Sequence, residues 1–165
     1  MTEDQHPKPV TALSWGVKQS FRNYVDSTGG VTEASGGAER TADGAFVFAA
    51  APDSTLTLDA EGRLQGRGRF LGEVRFESHG GMLKVFLADP MLEIAPAGAV
   101  LTVADTPARN YRLEIVQLDL AAMTSGESGE LTLPTSLTIE GMQLLGDHYP
   151  PRTPLDPACL KLAGR

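Results

Sequence analysis

Few residues in this 165-residue chain have the type and spacing to do chemistry. Its three histidines are His6, His79 and His148, and none forms the HxH or HExxH pair of a zinc site. The single cysteine, Cys159, excludes an internal disulfide and a cysteine-based zinc site. The carboxylates are scattered without the spacing of an acid–base pair, and no nucleophile-elbow, phosphate-loop or dinucleotide motif is present. The chain thus carries no motif of an enzyme.

One tyrosine stands where packing and binding are both reasonable. The stretch SWGVKQSFRNYV has apolar residues at helical spacing, which predicts an amphipathic helix from Ser14 to Val25 with Ser14 as its N-cap. Tyr24 lies close to the apolar stripe of that helix. Filling the core, with its hydroxyl bonded to the backbone, is one interpretation, and binding a ligand is the other. These residues alone leave both open.

Two histidines lie in segments with equally ordinary interpretations. His79 belongs to SHGG, which is typical of a hairpin turn in which Gly80 and Gly81 supply positive φ angles. His148 follows a predicted short helix, so a surface or capping role is expected for it. Neither position by itself indicates a ligand site.

The elements that would position these residues are mostly strands. Gly, Asp and Pro separate short alternating runs, which predict roughly eight to ten antiparallel strands joined by hairpins. The runs are AFVFA, STLTLD, RGRFLGEVRFES, MLKVFLADP, MLEI, AVLTV, YRLEIVQLDL and ELTLPTSLTI. With a short helical turn near EGMQLLGDHY, they indicate a mainly β protein: an antiparallel β-sandwich or curled barrel with an N-terminal helix and a short C-terminal helix. Residues 1–10 are predicted to be a disordered arm and residues 11–165 a single domain.

Composition excludes several classes of partner. The formal charge is −7 and the pI about 4.9, without the basic clusters that nucleic acid or an anionic membrane surface requires. No apolar run approaches the ~18–20 residues of a membrane-spanning helix. The N-terminus MTEDQHPKPV does not read as a signal peptide, so a cytoplasmic location is expected. The alternative is a secreted or cell-envelope protein whose leader has been removed.

Three segments together resemble the HtaA domain family, the haem-binding domains of actinobacterial haem-uptake proteins. LSWGVKQSFRNYV is similar to the family's opening motif. GEVRFESHGGMLKVFLADPMLEI resembles the central hairpin pattern VRFxxHxGxLxxxLxDPxxEI, and GDHYPPRTPLDPACLKL is similar to the closing FYxxGTxLDPxxLxL. The resemblance covers residues 11–162 with the motifs in the family's order, and the family's largely antiparallel β fold agrees with the strand pattern.

The resemblance implies specific roles for two residues. In the family, a tyrosine of the opening helix ligates ferric haem iron, and a histidine of the central hairpin hydrogen-bonds to that tyrosine's oxygen. The matching positions here are Tyr24 and His79. A phenolate is a hard anionic ligand that suits Fe(III), and a histidine bonded to it orients the ring and tunes its charge. The implied cofactor is haem b, Fe(III) protoporphyrin IX.

Further residues are predicted to surround the haem. An apolar wall is predicted from Phe21, Met82 and Leu83. Contacts to the propionates are predicted from Arg22 and from Ser35 in the Ser35-Gly36-Gly37 loop. The closing segment has HYPP where the family has an aromatic pair, so His148 is a rival second ligand.

The resemblance implies a protein for haem uptake, transfer or storage without catalytic turnover. Two alternatives stay open: a β-structured interaction module that no longer binds haem, and a haem-dependent enzyme. The second lacks a distal His–Arg acid–base pair in the sequence. The expected partners are haem and another haem-carrying protein, with no nucleic acid, no membrane span, and a monomer or homodimer as the assembly.

Overall fold

The computed structural model describes residues 7–95, 98–104, 111–126, 129–147 and 149–163. The protein is mostly β, with 54% strand and 14% helix, which confirms the predicted fold class. No helix in these ranges has the length and hydrophobicity to span a membrane. The elements, in chain order, are β1 (Lys8–Trp15), α1 (Gln19–Ser27), β2 (Val31–Ser35), β3 (Glu39–Arg40), β4 (Phe46–Ala50), β5 (Thr57–Leu58), β6 (Leu64–Gln65), β7 (Arg67–Leu71), β8 (Glu73–Ser78), β9 (Leu83–Ala95), β10 (Gly98–Ala104), β11 (Arg112–Leu118), β12 (Thr124–Ser125), β13 (Leu131–Leu137), α2 (Ile139–Leu144) and β14 (Pro154–Leu162).

Eight of the strands close into an antiparallel barrel. Their order around the barrel is β1-β4-β7-β9-β10-β11-β13-β14, and β1 closes it by pairing with both β4 and β14. The inward-facing side chains of a barrel of this size are enough to fill its interior. Fully buried residues from five of these strands are Leu13, Phe48, Leu92, Leu101 and Leu133. The barrel interior is therefore core, and a large ligand has to bind outside it.

A three-stranded extension of β2, β8 and the first half of β9 continues the sheet beyond the barrel. β9 bends at Asp89, where φ is 49°. Gly72, between β7 and β8, has a φ of 130°, and a Cβ there would lie 2.6 Å from the Cβ of Ala38. The long alternating run RGRFLGEVRFES is thus two strands, because only glycine fits at the point where β8 leaves the barrel.

Helix α1 begins later than the sequence predicts. Ser14 lies inside β1, so the predicted helix from Ser14 and its N-cap there are wrong. Val17 has a φ of 66°, which turns the chain before a helix can start. Lys18 occupies the N-cap position without a side-chain cap. Instead, the Gln19 N–H donates to Oδ1 of Asp156 at 3.1 Å, a partner that local periodicity cannot reveal.

The predicted disordered arm of residues 1–10 is too long. β1 already begins at Lys8, which pairs with Leu58, and Pro9 pairs with Thr57 of the neighbouring strand. Val10 is buried in the core. Pairing with a remote hairpin orders a stretch whose Lys and Pro content suggests an exposed coil; residues 1–6 lie outside the described ranges.

Asp156 of β14 attaches the N-terminal end of α1 to the barrel. Its Oδ2 lies 2.7 Å from Nη1 of Arg22, whose side chain is only 10% exposed. The same nitrogen donates to the carbonyl of Gly16 at 2.6 Å, and a Cβ on Gly16 would lie 2.3 Å from it. The indole N–H of the buried Trp15 donates to the Asp156 carbonyl at 2.8 Å. This cluster fixes where the helix starts.

Replacing Asp156 with Ala should lower the free energy of unfolding by about 2–4 kcal/mol, because the buried Arg22 guanidinium loses its counter-charge. Urea denaturation followed by circular dichroism measures the change. The matched control is Asp53→Ala, which breaks the solvent-exposed pair with Arg69 and should change stability little. Equal losses in the two variants would contradict the anchoring role of Asp156.

Candidate functional site

The structure brings Tyr24 and His79 together, although they are 55 positions apart in the chain. The Tyr24 hydroxyl lies 2.6 Å from Nε2 of His79, a hydrogen-bond distance. Their ring centroids are 5.7 Å apart, with an angle of 53° between the ring planes. Tyr24 is half-buried on α1, and His79 is exposed at the end of the β8–β9 hairpin. A phenol and an imidazole are thus hydrogen-bonded to each other at an accessible surface.

A left-handed turn aims His79 at α1. The φ angles are 54° at His79, 65° at Gly80 and 93° at Gly81. Ser78, the last residue of β8, is buried on the face that α1 covers, so continued alternation would turn the next side chain away from the helix. A non-glycine residue in this conformation costs roughly 1–2 kcal/mol. Strain of this kind is typical of functional positions.

Close packing holds the end of α1 that carries Tyr24 against β8. The rings of Phe21 and Phe76 meet edge to face, with centroids 5.1 Å apart. Just after the helix, a Cβ on Gly30 would lie 2.4 Å from the carbonyl oxygen of Glu77. The helix backbone therefore approaches the strand that leads to His79 as closely as glycine allows.

The predicted apolar wall divides into one exposed residue and two buried ones. Met82 is 90% exposed beside the His79 turn, so a ligand bound to Tyr24 can reach it. Phe21 and Leu83 are buried in the core and support the site from below instead of forming its surface. Both residues are buried because they lie on the inward faces of α1 and β9. The sequence pattern alone did not distinguish these buried positions from the exposed Met82.

The two predicted propionate contacts lie elsewhere. Arg22 is buried and bonded to Asp156 and Gly16, so its guanidinium has a structural role in place of the predicted one. Ser35 pairs with Glu73 at the opposite end of β8 from Ser78. That separation is about 17 Å at ~3.4 Å per residue. His148, the rival second ligand, lies outside the described residues.

Sequence reasoning missed a polar group next to Tyr24. Ser20 lies one helical turn before Tyr24 on the same side of α1, and its hydroxyl is 2.8 Å from that of Tyr149. Lys18 places its ammonium 5.7 Å from the Tyr149 ring centroid and donates to the carbonyl of Pro154 at 2.9 Å. The four-residue spacing of Ser20 and Tyr24 could have indicated that they lie on one side of the helix. The contact with Tyr149 could not be predicted from the sequence, because Tyr149 is 129 positions away in the chain.

Charges on the outer face of the extension are already paired. Arg75 binds the carboxylates of Glu33 and Glu77, the latter at 2.6 Å. Hydrogen bonding to Glu33 and the charge of that carboxylate raise the pKa of Arg75. Arg75 is thus engaged by carboxylates of the sheet, whereas Lys18 and Ser20 both contact Tyr149.

A different part of the surface has a depression of about 700 Å³ beside α2. Its lining combines Arg112 and Arg152 with Glu114 and Glu140. Burial lowers the pKa of Arg112, whose Nε donates to the Thr102 hydroxyl at 2.7 Å. Opposite charges offset each other there, and within the described ranges no cluster of His, Cys, Asp or Glu could hold a bare metal ion. The Tyr24–His79 pair is therefore the stronger candidate.

Comparisons with known proteins identify one family and several solved structures that the chain resembles. The HtaA (Htaa) family model matches residues 11–161. The crystal structure of the C-terminal domain of HtaA from Corynebacterium glutamicum is 26% identical, with a TM-score of 0.69 over 96% of this chain and 100% of that chain. The N-terminal domain of the same protein gives 24% identity and a TM-score of 0.72 over 96% and 100%. The crystal structure of heme binding protein HtaB from that organism is 20% identical, with a TM-score of 0.68 over 97% of this chain and 96% of that chain. No curated protein matches the chain significantly.

The left-handed turn predicts an unusual order of stabilities. His79→Gly should be more stable than His79→Ala by about 1 kcal/mol, since glycine adopts a positive φ without steric cost. Urea denaturation of the two apoproteins measures the difference. The same pair of substitutions at Lys84, exposed in β9, should show the reverse order, because glycine weakens a strand. Equal stabilities at position 79 would mean that the turn adopts another conformation.

Proposed function

The chain belongs to the HtaA domain family, and from this premise we propose that it binds ferric haem through the Tyr24 oxygen. The observation that carries the proposal is the 2.6 Å contact between the Tyr24 hydroxyl and Nε2 of His79. The match of the family over residues 11–161 supports it, as does the structural likeness to a protein named as heme binding. Tyr24 and His79 lie in two of the three segments that carry the resemblance in the sequence.

The chemistry of the donor set fits haem. Bound haem supplies a ferric iron, for which a phenolate oxygen is an established axial ligand type. A free tyrosine is neutral at pH 7, and coordination to a metal drives such a ligand's deprotonation. With haem bound, His79 would donate from Nε2–H to the phenolate oxygen, which would hold the tyrosinate in place and moderate the charge it gives the metal. Anionic ligation of this kind favours the ferric over the ferrous state.

The surroundings of Tyr24 supply both kinds of contact that haem needs. Haem is an apolar disc with two carboxylates at one edge, and its sites combine apolar walls with a few polar groups. Met82 is the exposed apolar side chain at the turn. The hydroxyls of Ser20 and Tyr149 and the ammonium of Lys18 are polar groups suited to the propionates. We propose that these residues contact haem b, with Met82 against the apolar disc and the polar groups at the propionates.

We propose a role in haem transfer or storage, without turnover. Tyr24 is half-buried and His79 exposed, so a bound haem would remain accessible to a second haem-carrying protein. A ligand that favours the ferric state is better suited to capturing and releasing haem than to binding or activating oxygen. The assembly that performs the exchange is a monomer or a homodimer of this chain.

Replacing Tyr24 with Phe should abolish saturable ferric haem binding, because only the ligating oxygen is removed. Titration of the apoprotein, read by absorption spectroscopy, should saturate near one haem per chain for the wild type with a tyrosinate-type spectrum. Tyr111→Phe, at an exposed position before β11, is the matched control and should behave as wild type. Unchanged affinity and spectrum in Tyr24→Phe would exclude Tyr24 as the ligand.

Replacing His79 with Asn should weaken haem binding by about 10- to 100-fold, as expected when a hydrogen-bond partner of a ligand is lost. Asn is chosen because it tolerates the left-handed conformation of this residue. Haem dissociation rates and the tyrosinate absorption band measure the effect. If neither changes, His79 is a turn residue only, and the proposal would rest on Tyr24 alone.

A further inference from the structure

A pair of hydroxyls ties the C-terminal end of α1 to the residue before His79. Thr28, the C-cap of α1, hydrogen-bonds through Oγ1 to the hydroxyl of Ser78. Ser78 is 3% exposed, and Thr28 is half-buried. Two buried or half-buried hydroxyls that satisfy each other hold their backbones at a fixed separation.

The direction of these bonds follows from the partners of Thr28. Its Oγ1 is 3.1 Å from the carbonyl oxygen of Tyr24 and 3.0 Å from that of Val25, and only its own proton can serve these two acceptors. The Thr28 oxygen must therefore accept from Ser78, which donates. A chain of hydrogen bonds runs from the Ser78 hydroxyl through Thr28 to the backbone of Tyr24.

These bonds form one closed ring with the candidate site. From the Tyr24 side chain, the ring passes to Nε2 of His79 at 2.6 Å and along the peptide bond to Ser78. It returns through the two hydroxyls to the Tyr24 carbonyl. Two contacts thus set the position of the phenol relative to the imidazole. One is the Tyr24–His79 hydrogen bond itself, and the other is the Thr28–Ser78 hydrogen bond, which touches neither ring.

We propose that Thr28 and Ser78 are positioning residues that hold the Tyr24 oxygen at bonding distance from His79 in the absence of haem. The inference rests on the proposed function and adds to it the elements that preorganise the ligand. Without the hydroxyl pair, the end of α1 and the start of the turn separate, and the Tyr24–His79 bond lengthens. The phenolate is then held less firmly, so haem dissociates faster.

The test measures haem dissociation by transfer to excess apomyoglobin. Thr28→Val and Ser78→Ala should each accelerate dissociation about 5- to 10-fold, somewhat less than the loss of a direct partner of the ligand. Thr28→Ser keeps the hydroxyl and should stay within about twofold of wild type. Thr102→Val removes a buried hydroxyl from β10 and is the matched control, also expected to behave as wild type.

Coupling to His79 separates positioning from a general structural role. In the His79→Asn background, Thr28→Val and Ser78→Ala should have no further effect on dissociation, because the bond that they position is already absent. Effects of the same size in both backgrounds, or unchanged rates in the single variants, would overturn the proposal.

A measurement on the apoprotein keeps the two proposals distinguishable. Long-range ¹H–¹⁵N NMR of the His79 ring should show a shifted Nε2 signal in Ser78→Ala relative to wild type, without any haem present. If the wild type binds no haem, the proposed function fails, and the apoprotein spectra alone decide the positioning role. An unchanged His79 signal in Ser78→Ala would then refute it.

Discussion

The ion pair between Arg22 and Asp156 is the constraint on which the placement of α1 depends. It joins residues 134 positions apart, and Arg22 is almost fully buried. A buried guanidinium has to keep its counter-charge and its hydrogen bonds, so the helix can sit in one place only. Gly16 allows this placement, because a Cβ there would occupy the space of the guanidinium. Asp156 also accepts from the first N–H of the helix, which sets both the start and the direction of α1.

The opposite end of the helix is held just as closely, against the extension. Gly30 lets the chain pass the Glu77 carbonyl, and the Thr28 and Ser78 hydroxyls bond across the same gap. A helix attached at both ends presents Tyr24 from a fixed backbone. The imidazole partner comes from a turn whose left-handed conformation is maintained by the hairpin it closes. Binding at this site would therefore begin from a preformed pair.

The barrel explains why the site lies where it does. This eight-stranded barrel fills its interior with its own side chains, so a site for a large ligand lies at its margins. The bend at Gly72 sends β8 away from the barrel, and α1 covers the inner face of the extension that results. The Tyr24–His79 pair stands at the edge of that layer, open to solvent. An open position of this kind agrees with the proposed transfer of haem.

What the sequence alone determined is local. Period-two alternation predicted the strands, the SHGG segment predicted the hairpin turn, and the three motifs linked Tyr24 to His79 through the family resemblance. These features depend on near neighbours or on short patterns, which a single chain displays directly. Tertiary structure decided the rest: the start of α1, the burial of Arg22 against Asp156, the approach of Ser20 to Tyr149, and the closure of β1 on both β4 and β14. Each of these joins residues remote in the chain, and such partners exist only after the barrel has closed and fixed their distances.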